Sequence, residues 1–209
     1  MASERRPDSR GTETRAKLLD AAEHLLMEEG YAAVTSRRVG SRSGVAAQLV
    51  HYHFRSMDEL FVGMIRRQGE AGCAAFEQLI ETEPSLVELW DFQAGQPLSA
   101  ASAELVALAN HRPAVRAEIA RYGQRFRRLH TQAVAAALER AGLSTELLPP
   151  GVLTVVMTAT IQLLSQERAV GMTGDDEGTA VLLRALAEGL EQVDRADIVN
   201  GFAAALRGH

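Results

Sequence analysis

The sequence predicts an all-α protein with an N-terminal three-helix head and a C-terminal helical body. Three observations predict it. Apolar residues recur at helical spacing from about Thr12 onward, without the strict alternation of a half-buried strand. Pro84, Pro97, Pro113 and Pro149-Pro150 stand where helices would begin, where a missing N–H costs little, and Gly142, Gly171 and Gly174 stand where they would end. Finally, residues 34–54, VTSRRVGSRSGVAAQLVHYHF, read as two short helices around a glycine turn.

In chain order, residues 1–11 are polar and form an expected arm. Arg5, Arg6 and Arg10 either reach a minor groove or nearby phosphates, or belong to a solvated tail. A first helix is expected from about Thr12 to Glu29. Leu18, Ala22, Leu25 and Leu26 share one face, Leu19 and Ala21 lie beside them, and Gly30 supplies the stop. His24 reads as a solvated side chain on its surface.

Thr35 is placed to cap the next helix, with Val34 and Val39 at the two positions of a hydrophobic staple. That helix should run to about Arg42 and stop at Ser43-Gly44, where glycine takes a positive φ readily. A second short helix, about Ala46 to Tyr52, follows Val45. Two short helices joined in this way place the second one in the DNA major groove. Four arginines, Arg37, Arg38, Arg42 and Arg55, lie between Gly30 and Met57 with no acid among them. Ser56 and Glu59 then make a capping box that opens a long helix to about Glu81, carrying Leu60, Phe61, Met64, Ile65, Ala75, Phe76 and Leu79. Gly69 and Gly72 within it mark either a hinge or a close helix crossing.

Gly30-Tyr31, Thr35, Arg37, Val39, Gly44-Val45, Leu49-Val50-His51-Tyr52-His53-Phe54 and Leu60 together resemble the N-terminal signature of the tetracycline-repressor (TetR) family, over roughly residues 12 to 62. The resemblance implies that Thr35, Arg37, Ala47, Gln48, Leu49, His51, Tyr52 and His53 face double-stranded DNA. Gln48 has the groups to read adenine and Leu49 to touch a thymine methyl, while Tyr52 and His53 suit phosphate or sugar. Three positions depart from the family pattern. Ala46 stands where a capping Ser is frequent, Gln48 where Gly is frequent, and Met57 where Lys is usual.

Beyond Glu83, helices are expected near 84–94, 98–110, 113–141, 150–170 and 176–193, with a weaker one near 195–206 and a loop from Gly171 to Gly178. Arg112, Arg116, Arg121, Arg125, Arg127 and Arg128 crowd the central helix, and form either a solvated, salt-bridged face or a site for an anion. The resemblance also implies a small-molecule cavity within the body. Trp90, Phe92, Tyr122, Phe126, His130, Met157 and Gln162 are its candidate lining, each also a candidate for plain core packing. The 150–170 helix is apolar on nearly all sides from Val152 to Leu164, so it should be covered twice. Val156 and Leu163 on it, with Leu182, Leu186, Leu190 and Val193 on the next helix, are the expected homodimer interface, forming a four-helix bundle with the partner.

Composition excludes other classes. The 209 residues are 46% hydrophobic, enough for a sizeable core, and the single cysteine, Cys73, cannot form an intrachain disulfide. No apolar run reaches a membrane span, and the expected compartment is a reducing cytoplasm. The net charge of −5 is uneven. Residues 1–70 hold 11 Lys and Arg against 10 Asp and Glu, whereas residues 71–209 hold 11 against 17. That suits a DNA-binding head on a body that avoids DNA. His51 and His53, two apart on a helix, point away from each other, so no metal is expected. Nothing in the sequence composes a nucleophile motif, a phosphate loop or a cofactor site, so an enzyme is not expected. The expected division is an arm at 1–11, a helix-turn-helix domain at 12–56 and an effector and dimerisation domain at 57–209. The expected function is a TetR-type regulator, a repressor released from a palindromic operator by a small molecule. The alternative is a helical ligand-binding or interaction module with weakened DNA binding.

Overall fold

The computed structural model describes residues 9–95, 98–146 and 148–172, together with Arg184, Glu188 and Gly189. Among these residues the structure is helical throughout: α1 (Ser9–Glu29), a 3-10 turn (Tyr31–Ala33), α2 (Ser36–Ser43), α3 (Ala47–His53), α4 (Met57–Ile80), α5 (Leu86–Ala94), α6 (Leu98–Ala109), α7 (Pro113–Arg140) and α8 (Pro150–Ala169). The helices expected at 176–193 and 195–206 lie outside the described residues, apart from Arg184, Glu188 and Gly189. With them go Leu182, Leu186, Leu190 and Val193. No helix among the described residues is long and apolar enough to cross a membrane.

Packing divides the chain into two compact units, Met1–Gly72 with Pro97–Gly123 and Cys73–Gln96 with Gln124–His209. In the first, the apolar face of α1 is buried as its spacing requires: Leu18, Leu19, Ala22, Leu25 and Leu26 are at most 2% exposed. Each buried leucine contributes about 1.5–3 kcal/mol. Val39, Val50, Phe54, Leu60, Phe61 and Met64 complete that interior. Arg67 of α4 ties back to α1 through Asp20 at 2.6 Å and Glu23 at 2.7 Å.

Helix α6 also belongs to this unit. Its Glu104 accepts a hydrogen bond from the Tyr31 amide at 3.1 Å, and it packs on α1 and the 3-10 turn. The unit around the helix-turn-helix is therefore larger than residues 12–56. Its other tie is a charged cluster between α4 and α7. Arg66 and Arg121 both donate to the nearly buried Glu118, holding that carboxyl below the usual range, chiefly through the Arg66 hydrogen bond. The Tyr122 hydroxyl donates to Glu70 at 2.5 Å, and its ring lies where a Cβ on Gly69 would be. Gly69 is thus a close-crossing glycine; Gly72 has open space at the same point.

The second unit buries Phe76, Leu86, Leu89, Trp90, Val134, Leu138, Met157 and Ile161. Two helix starts differ from the sequence expectation. Helix α1 is already helical at Ser9, the first described residue, ahead of the expected Thr12, because Gly11 costs only about 1 kcal/mol in a helix whose later turns are well packed. Helix α5 begins at Leu86 rather than residue 84, because Ser85 is its N-cap. The Ser85 hydroxyl accepts from the Glu88 amide and the Glu88 carboxylate accepts from the Ser85 amide. At Pro113 and Pro150 the expected starts are present, and Gly142 (φ 71°) and Gly171 (φ 76°) terminate helices in the left-handed region.

Candidate nucleic-acid interface and interior site

The α2–α3 corner is set by two glycines. Gly44 ends α2 at φ 69°, and the following Val45 amide donates to the Gly40 carbonyl at 3.0 Å. Gly40 was not foreseen from the sequence. A Cβ there would lie 2.8 Å from the Val45 carbonyl and 3.1 Å from the Ala47 Cα, so only glycine lets α3 cross this close to α2. A glycine four residues before a C-capping glycine was the available signal. Upstream, the Thr35 hydroxyl accepts from the Arg38 amide at 3.4 Å, and Val34 and Val39 are both buried. Downstream, the Glu59 amide donates to the Ser56 hydroxyl at 3.1 Å. The Glu59 carboxylate reaches the Arg55 amide instead of that of Ser56, so the expected capping box is only half formed.

Helix α3 sorts its residues cleanly. Val50 and the following Phe54 are buried, while Ala47, Gln48, Leu49, His51 and Tyr52 are exposed and His53 is half-buried. Tyr52 is 79% exposed and its ring meets His53 edge-on at 5.2 Å. Ala46 caps α3 without a side-chain hydrogen bond. Thr35 and Arg37 are exposed at the start of α2.

The four arginines of this stretch divide in two. Arg38 is paired with Glu29 and Arg42 with Glu28 at 2.7 Å, both acids at the end of α1. The hydrogen bond from Arg38 holds the Glu29 carboxyl below its ordinary range. Arg37 and Arg55 have no carboxylate partner among the described residues. Met57 is half-buried and lines a shallow depression of about 280 Å³ with Tyr31, Thr35, Ser36, Phe61 and Arg112. Beside it Asp58 pairs with Arg112.

Of the interior candidates, Trp90, Phe92, Phe126, His130 and Met157 come together in the second unit around Phe76. The Phe76 ring lies 5.2 Å from Phe92, 4.9 Å from Phe126 and 5.5 Å from His130. Tyr122 belongs to the first unit, and Gln162 is exposed on α8. Burial pushes the His130 imidazole down to about 4, so at neutral pH it is uncharged. Half of the six central arginines are paired: Arg112 with Asp58, Arg121 with Glu118, and Arg125 with Glu77 at 2.9 Å. These pairs support the salt-bridged reading of that face over the anion site. No cluster of three or more metal-ligating side chains occurs among the described residues.

On α8, Thr154, Met157, Ile161 and Leu164 are buried, while Val152, Val155, Val156 and Leu163 are 46 to 59% exposed. The exposed set recurs at 3, 4 and 7 residues, a continuous apolar stripe on one helical face.

Residues 18–64 match the family model described as bacterial regulatory proteins, tetR family. Nothing among curated proteins matches the sequence. Among solved structures, a TetR transcription regulator from Haloarcula marismortui is 18% identical, with a TM-score of 0.69 over 86% of this chain and 97% of that one. A TetR-family structure from Rhodococcus sp. is 21% identical, with a TM-score of 0.68 over 87% and 100%. A structure from Saccharomonospora viridis, described as a transcriptional regulator in complex with choline, is 17% identical, with a TM-score of 0.70 over 85% and 95%. At these identities the structural likeness establishes the fold, and residues 18–64 carry the similarity to the tetR family model.

Proposed function

We propose, for a chain similar through residues 18–64 to the TetR family of bacterial regulatory proteins, the function of a homodimeric repressor released from a palindromic operator by a small molecule. The observation that carries it is α3 itself. Its buried side holds Val50, its other side offers Gln48, Leu49, His51 and Tyr52, and beside it Arg37 is free of carboxylates among the described residues. In this reading residues 12–56 bind DNA and residues 57–209 bind effector and partner. Gln48 and Leu49 read base edges, while Thr35, Arg37, Tyr52 and His53 hold the backbone. The exposed apolar stripe of α8 supports a second copy of the chain as partner, and a two-fold dimer calls for a two-fold operator. The choline complex of the Saccharomonospora viridis protein supports a small-molecule effector without naming the one used here. The chain would act by binding alone, with no catalytic step.

A gel shift with the DNA flanking the protein's own gene tests this reading. The wild type should retard a palindromic fragment, and Gln48→Ala with Tyr52→Ala should abolish the retardation while leaving the melting temperature unchanged. The uncapped Ala46 and the half-buried Met57 favour the alternative, a helical ligand-binding or interaction module with weakened DNA affinity. Retardation no stronger than that of unrelated DNA would establish it.

A further inference from the structure

Four buried side-chain atoms of the second unit have no hydrogen-bond partner among the described residues: both ring nitrogens of His130, the Thr154 hydroxyl and Gln93 Oε1. His130 is 1% exposed and Thr154 2%. Packing alone would be served better by leucine and valine at these two positions, because an unpaired polar group in an apolar interior destabilises the fold. The residues are joined through their neighbours. Gln93 Nε2 donates to the Thr158 hydroxyl at 2.8 Å, and Thr158 lies one turn beyond Thr154, about 6 Å along α8. The neighbour of Gln93 on α5 is Phe92, whose ring packs on Phe76; Phe76 in turn meets His130 edge-on at 89°. Aromatic walls with a few convergent polar atoms are the composition of a small-molecule site.

The donor inventory narrows the ligand. An uncharged imidazole offers one donor and one acceptor, Gln93 Oε1 an acceptor, and the Thr154 hydroxyl either role. Among the described residues of this unit no acidic or basic side chain besides His130 is buried, and a neutral ligand is the class these atoms match. Resting on the effector-controlled reading above, we propose that this interior binds an uncharged, planar aromatic molecule carrying hydroxyl or carbonyl groups, with His130, Thr154 and Gln93 as its specificity residues. A ligand hydroxyl donates to Gln93 Oε1 or to the bare imidazole nitrogen, and the imidazole N–H donates to a ligand oxygen. The Phe76, Phe92 and Phe126 rings flank the aromatic plane.

Three phenols of similar size test the class on the full-length protein: 4-hydroxybenzyl alcohol as the neutral probe, 4-hydroxybenzoate as the anion and tyramine as the cation. Melting curves and titration calorimetry should show the neutral probe raising the wild-type midpoint and binding at least tenfold more tightly than either ion. His130→Leu should raise the midpoint of the ligand-free protein and weaken the neutral probe at least tenfold. Thr154→Val should act in the same directions by less, and Gln162→Ala, on the exposed face of α8, should change neither. The proposal is overturned if no probe shifts the wild type, if an ion binds as tightly as the neutral phenol, or if both variants keep the wild-type affinity. It is also overturned if His130→Leu lowers the ligand-free midpoint, since the imidazole would then already be satisfied by water. A gel shift without probe separates the two readings. Retardation by wild type alongside a failed probe series leaves the regulator standing, and probe binding without retardation leaves the site standing.

Discussion

The helix-turn-helix stretch and the interior of the second unit treat polar groups in opposite ways. Around α2, both helix ends and two of the charges are satisfied from nearby in the chain: Thr35 caps α2, Gly44 closes it, and Arg38 and Arg42 are held by Glu29 and Glu28. In the second unit, by contrast, four buried polar atoms have no partner among the described residues. A surface that meets a rigid, repeating partner such as duplex DNA gains from being set in advance. An interior with unmet hydrogen bonds is completed by whatever enters it.

The contrast can be broken most severely at Gly40. Gly40→Leu puts a side chain against the Val45 carbonyl, a backbone atom that cannot rotate away, and should destabilise the first unit by about 4 kcal/mol and abolish DNA binding. A urea midpoint equal to that of the wild type would show that the α2–α3 crossing is looser than described.

The interior answers to pH. His130 titrates near 4 in the folded protein and near 6.5 when unfolded, so between these values the unfolded chain binds more protons. Its contribution is complete above about pH 6.5 and is lost as the pH falls toward 4, a difference of about 3 kcal/mol. His130→Leu should remove that part of the acid sensitivity. Denaturation curves at pH 7 and pH 4.5 that fall equally in both proteins would refute it.

A smaller effect separates two glycines of α4. Gly69→Ala must displace the Tyr122 ring and its bond to Glu70, at a cost of about 2 kcal/mol. Gly72→Ala meets nothing within 4 Å and should stabilise by about 0.5–1 kcal/mol through helix propensity. Thermal midpoints moving in the same direction would contradict the assignment of the crossing to Gly69. The smallest change is Met57→Lys, which adds a cation at the first turn of α4. It should steepen the dependence of log K on log[salt] by up to about 1.8 for a dimer, with little change in stability. An unchanged slope would place residue 57 away from the DNA backbone.

What was legible in the sequence follows the same divide. Thr35, Val34 with Val39, Gly44 and the Pro113 and Pro150 starts are local devices, each read from residues within a turn of one another. Contacts between distant segments leave no such trace. The bond from Tyr31 to Glu104, the packing of α6 on α1, and the ring of Tyr122 on Gly69 join residues more than 50 positions apart. Size and aromaticity were enough to nominate Phe92, Phe126 and His130, which the fold brings together. The same criterion nominated Tyr122, which belongs to the other unit, and Gln162, which is exposed, because composition does not report which side of a helix faces inward. The sequence likewise grouped Arg38 and Arg42 with Arg37 and Arg55 without revealing that the acids of α1 hold two of them.

That last division allows the most direct test. Arg37 is held to serve DNA, and Arg42 to serve the fold. Operator affinity should be measured by fluorescence anisotropy at several salt concentrations for the wild type, Arg37→Ala and Arg42→Ala. Arg37→Ala should reduce the salt slope by about 1.8 per dimer at an unchanged melting temperature, whereas Arg42→Ala should keep the slope and lose at most about 1 kcal/mol of stability. An Arg37→Ala protein that binds operator with the wild-type slope would contradict the account.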